Sequence, residues 1–323
     1  MESIKFIDLF CGIGGFRIAM DEACRENGII PECVFSSDID PFCQDSYEIN
    51  FGHRPAGDIT KIREKEIPDH DILFAGFPCQ PFSIIGQRQG FNDIRGTLFF
   101  DIARILKHKK PKAFILENVK QLVGHDKGRT LKIILDTLKD LGYNVQYAVL
   151  NALDYGLPQK RERVIIVGHR EPIFFSFPAP IRPFKRLAEI LEKDVDPKHY
   201  ASEYISTRRK VKHRSAYKLS IWHENKSGNI CSYPYSCALR AGASYNYLLV
   251  NGERRLTPRE MFRLQGFPDT YKIVVNDGQA RKQAGNAVPV NLVKAVILKL
   301  MPFVASSLDM TSILRDYEIN LSA

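Results

Sequence analysis

Short apolar runs of five or six residues recur along the first 170 positions, at 5–10, 33–37, 71–76, 112–116, 145–150 and 163–168. Helix-length segments separate several of them, at 16 to about 25, from Pro41 onward, at 97–107 and at 130–141. Continuous apolar strands joined by helices predict βαβ units: an α/β fold whose mostly parallel sheet carries helices on both faces. Ligands on such a sheet sit outside the carboxyl ends of its strands. Each strand end marked by glycine or proline is therefore a candidate site.

From about Pro172 the texture changes. Pro172, Pro178, Pro180 and Pro183 crowd one short stretch, which reads as a linker. Residues 181–226 then hold 12 Lys or Arg against 6 Asp or Glu, densest at 207–214, and Trp222, Tyr233, Tyr235, Tyr245 and Tyr247 follow. This segment is expected to form a smaller, loop-rich second domain. Regular structure returns at Thr257-Pro258-Arg259-Glu260, where a Thr N-cap, a Pro at the first helical position and a Glu two further on make a capping box. The stretch 290–300 is apolar enough to be a buried helix, expected to pack back on the first domain. The division expected is a catalytic and cofactor-binding domain at 1–174, a second domain at 175–255 and a C-terminal segment at 256–323.

Composition narrows the class. With 323 residues, 44% hydrophobic and 26% charged, wholesale disorder is excluded. No apolar run approaches the roughly 18 residues of a spanning helix, and the start lacks the basic and apolar regions of an export signal. Seven cysteines without a CxxC pair argue against a disulfide framework or a metal site and for a reducing cytoplasm. The formal charge is +9, unevenly spread: residues 1–100 carry 9 basic and 16 acidic side chains, the rest 37 and 21. A positive surface suggests a polyanion, nucleic acid first. A scattered solvated surface has the same total, so the asymmetry alone decides nothing.

Four strand ends carry candidate chemistry. After the first, Gly12, Gly14 and Gly15 form a turn into a helix whose free N–H groups face a polar ligand. Tight packing explains such a turn equally well. Asp38, 23 residues beyond Gly15, has the spacing of a ribose-binding carboxylate, and Asp58 offers another; together they describe a nucleoside site without saying which. After the third strand, Cys79 stands between Pro78 and Gln80-Pro81, in a stiffened turn that holds a thiol over the sheet. Cys24, Cys33 and Cys43 fit the plainer reading of small buried hydrophobes. The glycine-rich 84–96 segment reads as a closing lid. Glu117 ends the next strand, placed for proton donation, with an ion pair to an arginine as the plain alternative. Arg161 and Arg163, at alternate positions, point toward a phosphate or a base carbonyl.

In this order, FIDLFCGIGG, GFPCQPFS, ENV, YGLPQKRERVIIVG, RRLTPREMFRLQGFPD and QAGNAVPV resemble the motifs of the bacterial C5-cytosine DNA methyltransferases of restriction–modification systems. The match is collinear over 4–170 and 251–300, and the 175–250 segment falls where that family keeps its target-recognition domain.

The resemblance implies a Rossmann-like fold, S-adenosylmethionine as cofactor and double-stranded DNA as partner. It implies a bacterial cytoplasmic enzyme, monomeric on DNA, without membrane or metal, and beside a possible cognate restriction endonuclease that it need not touch. By the same resemblance the catalytic residues are Cys79, Glu117, Arg161 and Arg163. The cofactor site is lined by Gly12, Gly14, Phe16, Asp38, Ile39, Asp58, Ile59, Pro78, Leu98, Asn286 and Val288. Gln80 and Ser83, with Arg208, Arg209, Lys210 and Arg240, are expected to contact DNA. Cys79 would add to C6 of a flipped cytosine, Glu117 would bond N3 and the exocyclic amine, Arg163 would contact O2, and Arg161 a phosphate or the closing loop. Three positions depart from the family: Asp38 where Glu is frequent, Ile39 where an aromatic often stacks on adenine, and Ala238-Leu239 where Thr-Leu is frequent. A tRNA cytosine methyltransferase of the same fold and an inactive DNA-binding regulator are the alternatives; the Cys-Phe-Thr signature of the first is absent, and intact Cys79, Glu117 and Arg163 oppose the second.

Overall fold

The structure, a computed structural model, describes residues 2–78, 98–181 and 183–306. Along the chain come β1 (Ser3–Leu9), α1 (Gly15–Glu26), β2 (Ile30–Ser37), α2 (Pro41–Phe51), β3 (Ile72–Gly76), α3 (Leu98–Lys109), β4 (Ala113–Val119), α4 (Arg129–Asp140), β5 (Asn144–Asn151), β6 (Gln159–Lys160) and β7 (Glu162–His169). The central sheet has the order β2-β1-β3-β4-β7-β5. Its β1, β2, β3 and β4 run parallel, while β7 lies antiparallel between β4 and β5. The mostly parallel expectation holds with that one reversal. The connection from β5 to β7 is too short to hold a crossover helix, so the chain turns straight back.

Side chains alternate across this sheet. Phe6, Phe74 and Ile115 face α1 and a late helix, whereas Ile7, Leu73 and Leu116 face α3 and α4. Both faces are buried, which is why the strands read as unbroken apolar runs.

Beyond β7 follow α5 (Leu187–Ile190), α6 (Glu203–Lys212), β8 (Ile221–Glu224), β9 (Ile230–Tyr233), β10 (Ser236–Cys237) and β11 (Leu248–Val250). β11, β8 and β9 form a small antiparallel sheet, and β10 pairs with β6. Then come α7 (Pro258–Leu264), α8 (Asp277–Asn286) and α9 (Val290–Leu300). The capping box is present: Thr257 Oγ1 accepts from Glu260 N at 3.2 Å, and Glu260 Oε2 accepts from Thr257 N at 2.8 Å. α9 is largely buried and packs along α1, where Lys294 Nζ lies 3.0 Å from Glu22 Oε2. Residues 277–303 have the length and mean hydropathy of a spanning helix, but they are two helices broken at Pro289, and α9 is core. The apolar core runs on from the large sheet to Ile221, Leu248 and Val250 of the small one.

Candidate active site

β1 lies between β2 and β3, so the chain leaves it in one direction and returns on its other side. This switch opens a crevice at the carboxyl ends of β1 and β3. The turn after β1 fills its floor. Gly12 and Gly14 have φ of +52° and +80°, a region other residues resist. A methyl group on Gly14 would also lie 2.3 Å from the Phe51 ring. Gly14 is the N-cap of α1 and offers no side-chain cap, so the first N–H groups of the helix are left for a ligand.

Asp38 holds this turn. Its Oδ2 accepts from Gly12 N at 2.8 Å and its Oδ1 from Asp40 N at 2.8 Å. Burial pushes its carboxyl above the usual range, against those two bonds. Each oxygen keeps a second lone pair for a hydroxyl donor. Ile39, next to it, is 74% exposed, an apolar side chain set at the mouth. Asp58 caps a short helical turn, accepting from Thr60 N at 3.0 Å and Thr60 Oγ1 at 2.7 Å, and those bonds lower its pKa. Ile59 beside it is buried.

Gly76, at the end of β3, is the meeting point. A Cβ built there would lie 3.6 Å from Val288 Cγ1, 3.7 Å from Glu117 Oε2 and 4.0 Å from Phe16 Cε2. Phe16 is stacked on Phe74, with ring centroids 5.1 Å apart. Glu117 stands near the carboxyl end of β4, in register with Gly76 on one side and Ile165 on the other. Its Oε1 lies 2.7 Å from Arg163 Nε, an ion pair in which the N–H is not aligned as a hydrogen bond. The two side chains are only 10% and 12% exposed. Asn118 donates from Nδ2 to Phe77 O at 3.0 Å and so pins the backbone that leads to Pro78. Pro78 is exposed, Leu98 opens α3, and Asn286 and Val288 flank the end of α8. Cys79, Gln80, Ser83 and the expected 84–96 lid lie outside the described residues.

The profile of the C-5 cytosine-specific DNA methylase family matches residues 4–301. The chain belongs to the C-5 cytosine-specific DNA methylases. It is 56% identical over 294 residues to the Type II methyltransferase M.NgoBI of Neisseria gonorrhoeae, spanning 90% of this chain and 91% of that one. It is 54% identical over 302 residues to M.HaeII of Haemophilus aegyptius, spanning 92% of each. The crystal structure of S. pombe Dnmt2 methyltransferase has the same fold, with a TM-score of 0.71 at 22% identity over 93% of this chain and 99% of that one.

In this methylase Arg161 does not stand where a phosphate can reach it. It is 1% exposed, and its guanidinium donates to Leu239 O at 2.9 Å, Gly285 O at 3.0 Å and Ala287 O at 2.7 Å. Burial, with the like charge of Arg163 nearby, pulls its pKa down to about 9. The expectation of a phosphate contact is therefore corrected: Arg161 ties β6 and β7 to the 239 segment and to the end of α8, and the expected lid lies outside the described residues. Gln159 works beside it, donating to Leu264 O at 2.9 Å and accepting from Leu239 N at 2.9 Å. Alternation along an extended chain was a poor guide, because the strand breaks between Lys160 and Glu162.

In the basic run of the methylase the same correction applies to Arg209 alone, which is buried, while Arg208 and Lys210 remain accessible and carry ion pairs. Arg208 Nη2 lies 2.6 Å from Glu224 Oε1, and Arg209 Nη2 lies 2.8 Å from Glu224 Oε2. Lys210 pairs with Glu253. Arg209 is buried, so this run fastens α6 to the small sheet and its charge is largely answered within the protein. Arg240 differs. It is exposed, with its guanidinium 4.9 Å from the Tyr247 ring centroid. Asn118, Gln159 and Arg255 stand inside the motifs quoted above without a role assigned to them there, and Arg281 stands outside every motif. Cys24 and Cys43 are buried, and burial pushes the Cys24 thiol up to about 12, so it carries no thiolate at neutral pH.

Proposed function

We propose that this methylase transfers a methyl group from S-adenosylmethionine to C5 of a cytosine flipped out of duplex DNA, as the modification half of a restriction–modification pair. What supports the reading above all is the Glu117–Arg163 pair, set beside Gly76, Phe16 and Val288 at the carboxyl end of the sheet. The residues around the glycine turn fit the cofactor. An uncapped helix start, a half-buried carboxylate with free lone pairs and a stacked phenylalanine suit a zwitterionic nucleoside. Asp38 would take the ribose, Asp58 the adenine amine, Phe16 and Ile39 the adenine faces, and Asn286 with Val288 the opposite wall. S-adenosylmethionine, when bound, supplies the electrophilic methyl group that C5 accepts.

The chain's own residues then have these roles. The Cys79 thiolate forms a bond to C6, and the electron pair of the C5=C6 bond moves onto C5. Glu117 delivers a proton at N3 through Oε2, since Oε1 is held by Arg163. Arg163 keeps Glu117 oriented and faces O2 of the base. After methylation, loss of the C5 proton to water restores the double bond, Glu117 recovers its proton, and the Cys79 thiolate leaves. The target must leave the stack, because neighbouring bases block attack from above the ring. Residues 1–174 would do this chemistry and 175–255 read the sequence, with one copy of the chain on each DNA site and no contact with the cognate endonuclease.

The test is transfer of labelled methyl from S-adenosylmethionine to duplex DNA and to tRNA. Transfer to DNA only is expected; transfer to tRNA, or to neither, refutes the reading. Duplex DNA carrying 5-fluorocytosine at the target should trap a covalent complex that Cys79→Ala abolishes.

A further inference from the structure

A cavity of roughly 830 Å³, its open mouth included, lies where the segment after Leu239 meets α7 and α8. Its wall holds the guanidiniums of Arg240, Arg255 and Arg281. Among the described residues none of the three has a carboxylate partner, in contrast to Arg208, Arg209 and Lys210 on the same part of the chain. Asp277, also in the wall, is engaged by Lys198, whose Nζ lies 3.1 Å from its Oδ2.

Three guanidiniums sharing one cavity repel each other unless an anion joins them, and a planar fork of N–H donors matches phosphate oxygens. Backbone carbonyls hold Arg281, a carbonyl and a side-chain amide hold Arg255, and the Tyr247 ring lies under Arg240. Arg281 donates to Ala243 O and, at 3.0 Å, to Ser244 O, and Arg255 donates to Asn246 Oδ1 at 3.3 Å. Tyr245, 56% exposed, lies between Arg255 at 5.4 Å and Arg281 at 4.8 Å from its ring centroid. An aromatic ring flanked by arginines is a platform for a flat, sugar-bearing group. Leu256 and Met261 make the floor apolar. The cavity begins at Leu239, whose carbonyl Arg161 clamps to the end of α8.

We propose that this cavity holds one nucleotide unit of the DNA strand away from the methylated cytosine, its phosphodiester among Arg240, Arg255 and Arg281 and its base or sugar on Tyr245. The inference rests on the DNA-methylating function proposed above and adds a contact that function does not require. The same chemistry suits a free mononucleotide, so the test separates the two sources.

Binding of a labelled random-sequence duplex to the full chain is measured by fluorescence anisotropy over a range of salt concentrations. Each phosphate contact contributes a slope of about 1 in log affinity against log salt. Arg255→Gln should flatten the slope by about that much and weaken binding several-fold at low salt. Met261→Trp, which fills the floor without changing charge, should do the same, and Arg240→Gln, at an exposed side chain, stands in should either fail to fold by circular dichroism. Folded variants with the wild-type affinity and slope overturn the proposal. Calorimetric titration with deoxycytidine monophosphate supplies the other arm: binding that Arg255→Gln abolishes, with an unchanged DNA slope, assigns the cavity to a free nucleotide and overturns the DNA contact. Failure of the wild-type chain to methylate DNA would instead strike the proposed function and leave the salt slope readable.

Discussion

Arg163 Nε stands 2.7 Å from Glu117 Oε1, across neighbouring antiparallel strands at the carboxyl end of β4. The two residues are far apart in sequence, and the reversed β7 brings them together. The arrangement commits one carboxylate oxygen to the arginine and leaves the other facing Gly76 and Val288. Glu117→Gln should therefore slow methyl transfer by about 100-fold or more, the scale of general acid catalysis, while DNA affinity changes little. Single-turnover transfer against anisotropy checks this; equal losses in both would make the pair structural.

Arg161 is a buried cation with three carbonyl acceptors. Arg161→Met should cost roughly 3 kcal/mol of stability, because those carbonyls lose their donor in a dry site. The salt slope of DNA binding in the variant that remains folded should be unchanged, which separates the role found here from a phosphate contact. Urea unfolding and the salt titration read the two effects.

Glu224 answers both Arg208 and Arg209, but only Arg209 is buried. Glu224→Ala should destabilise by about 3 kcal/mol, since it strands a buried charge. Arg208→Ala, at the exposed member, should cost no more than ~1 kcal/mol. Comparable losses from the two substitutions, measured by thermal unfolding, would contradict this account of the basic run.

Gly285 lies against the backbone of the 240 segment. A Cβ there would sit 2.4 Å from Ala241 N and 2.8 Å from Arg240 C. No side-chain rotation relieves a collision with backbone, so Gly285→Ala should cost about 1–3 kcal/mol and displace Arg240. Weaker DNA binding together with a lowered melting temperature is expected.

His169 ends β7 fully buried against Phe303, with ring centroids 4.4 Å apart. Burial pulls its pKa down to about 4. The unfolded chain binds a proton here below about pH 6.5 and the folded chain does not until about pH 4. Stability from this group is thus complete above pH 6.5 and falls as pH drops toward and below 4, by roughly 3 kcal/mol. Denaturant titrations across that window should show the decline for the wild type and a shallower one for His169→Phe.

Much of the fold was legible in the chain. The apolar runs at 5–10, 33–37, 71–76 and 112–116 became β1 to β4 within a few residues at each end, and 290–300 matched α9. A strand buried on both faces must be apolar throughout, and a capping box needs particular residues at particular spacings; both constraints are local. The glycine turn, Asp38 and Glu117 were found for the same reason, since each stands at a strand end.

What the chain alone could not decide was the fate of its charges. Arg161, Arg163, Arg209 and Arg240 are alike as letters, yet one clamps carbonyls, one holds a carboxylate, one is neutralised in the interior and one faces solvent. A basic run looks like a polyanion site until the fold shows which carboxylates come within reach. Coulomb energy depends on distance and burial rather than on position in sequence. Secondary structure follows from neighbours along the chain, whereas charge pairing is settled only when distant segments, such as Leu239, Gly285 and Arg161, meet in space.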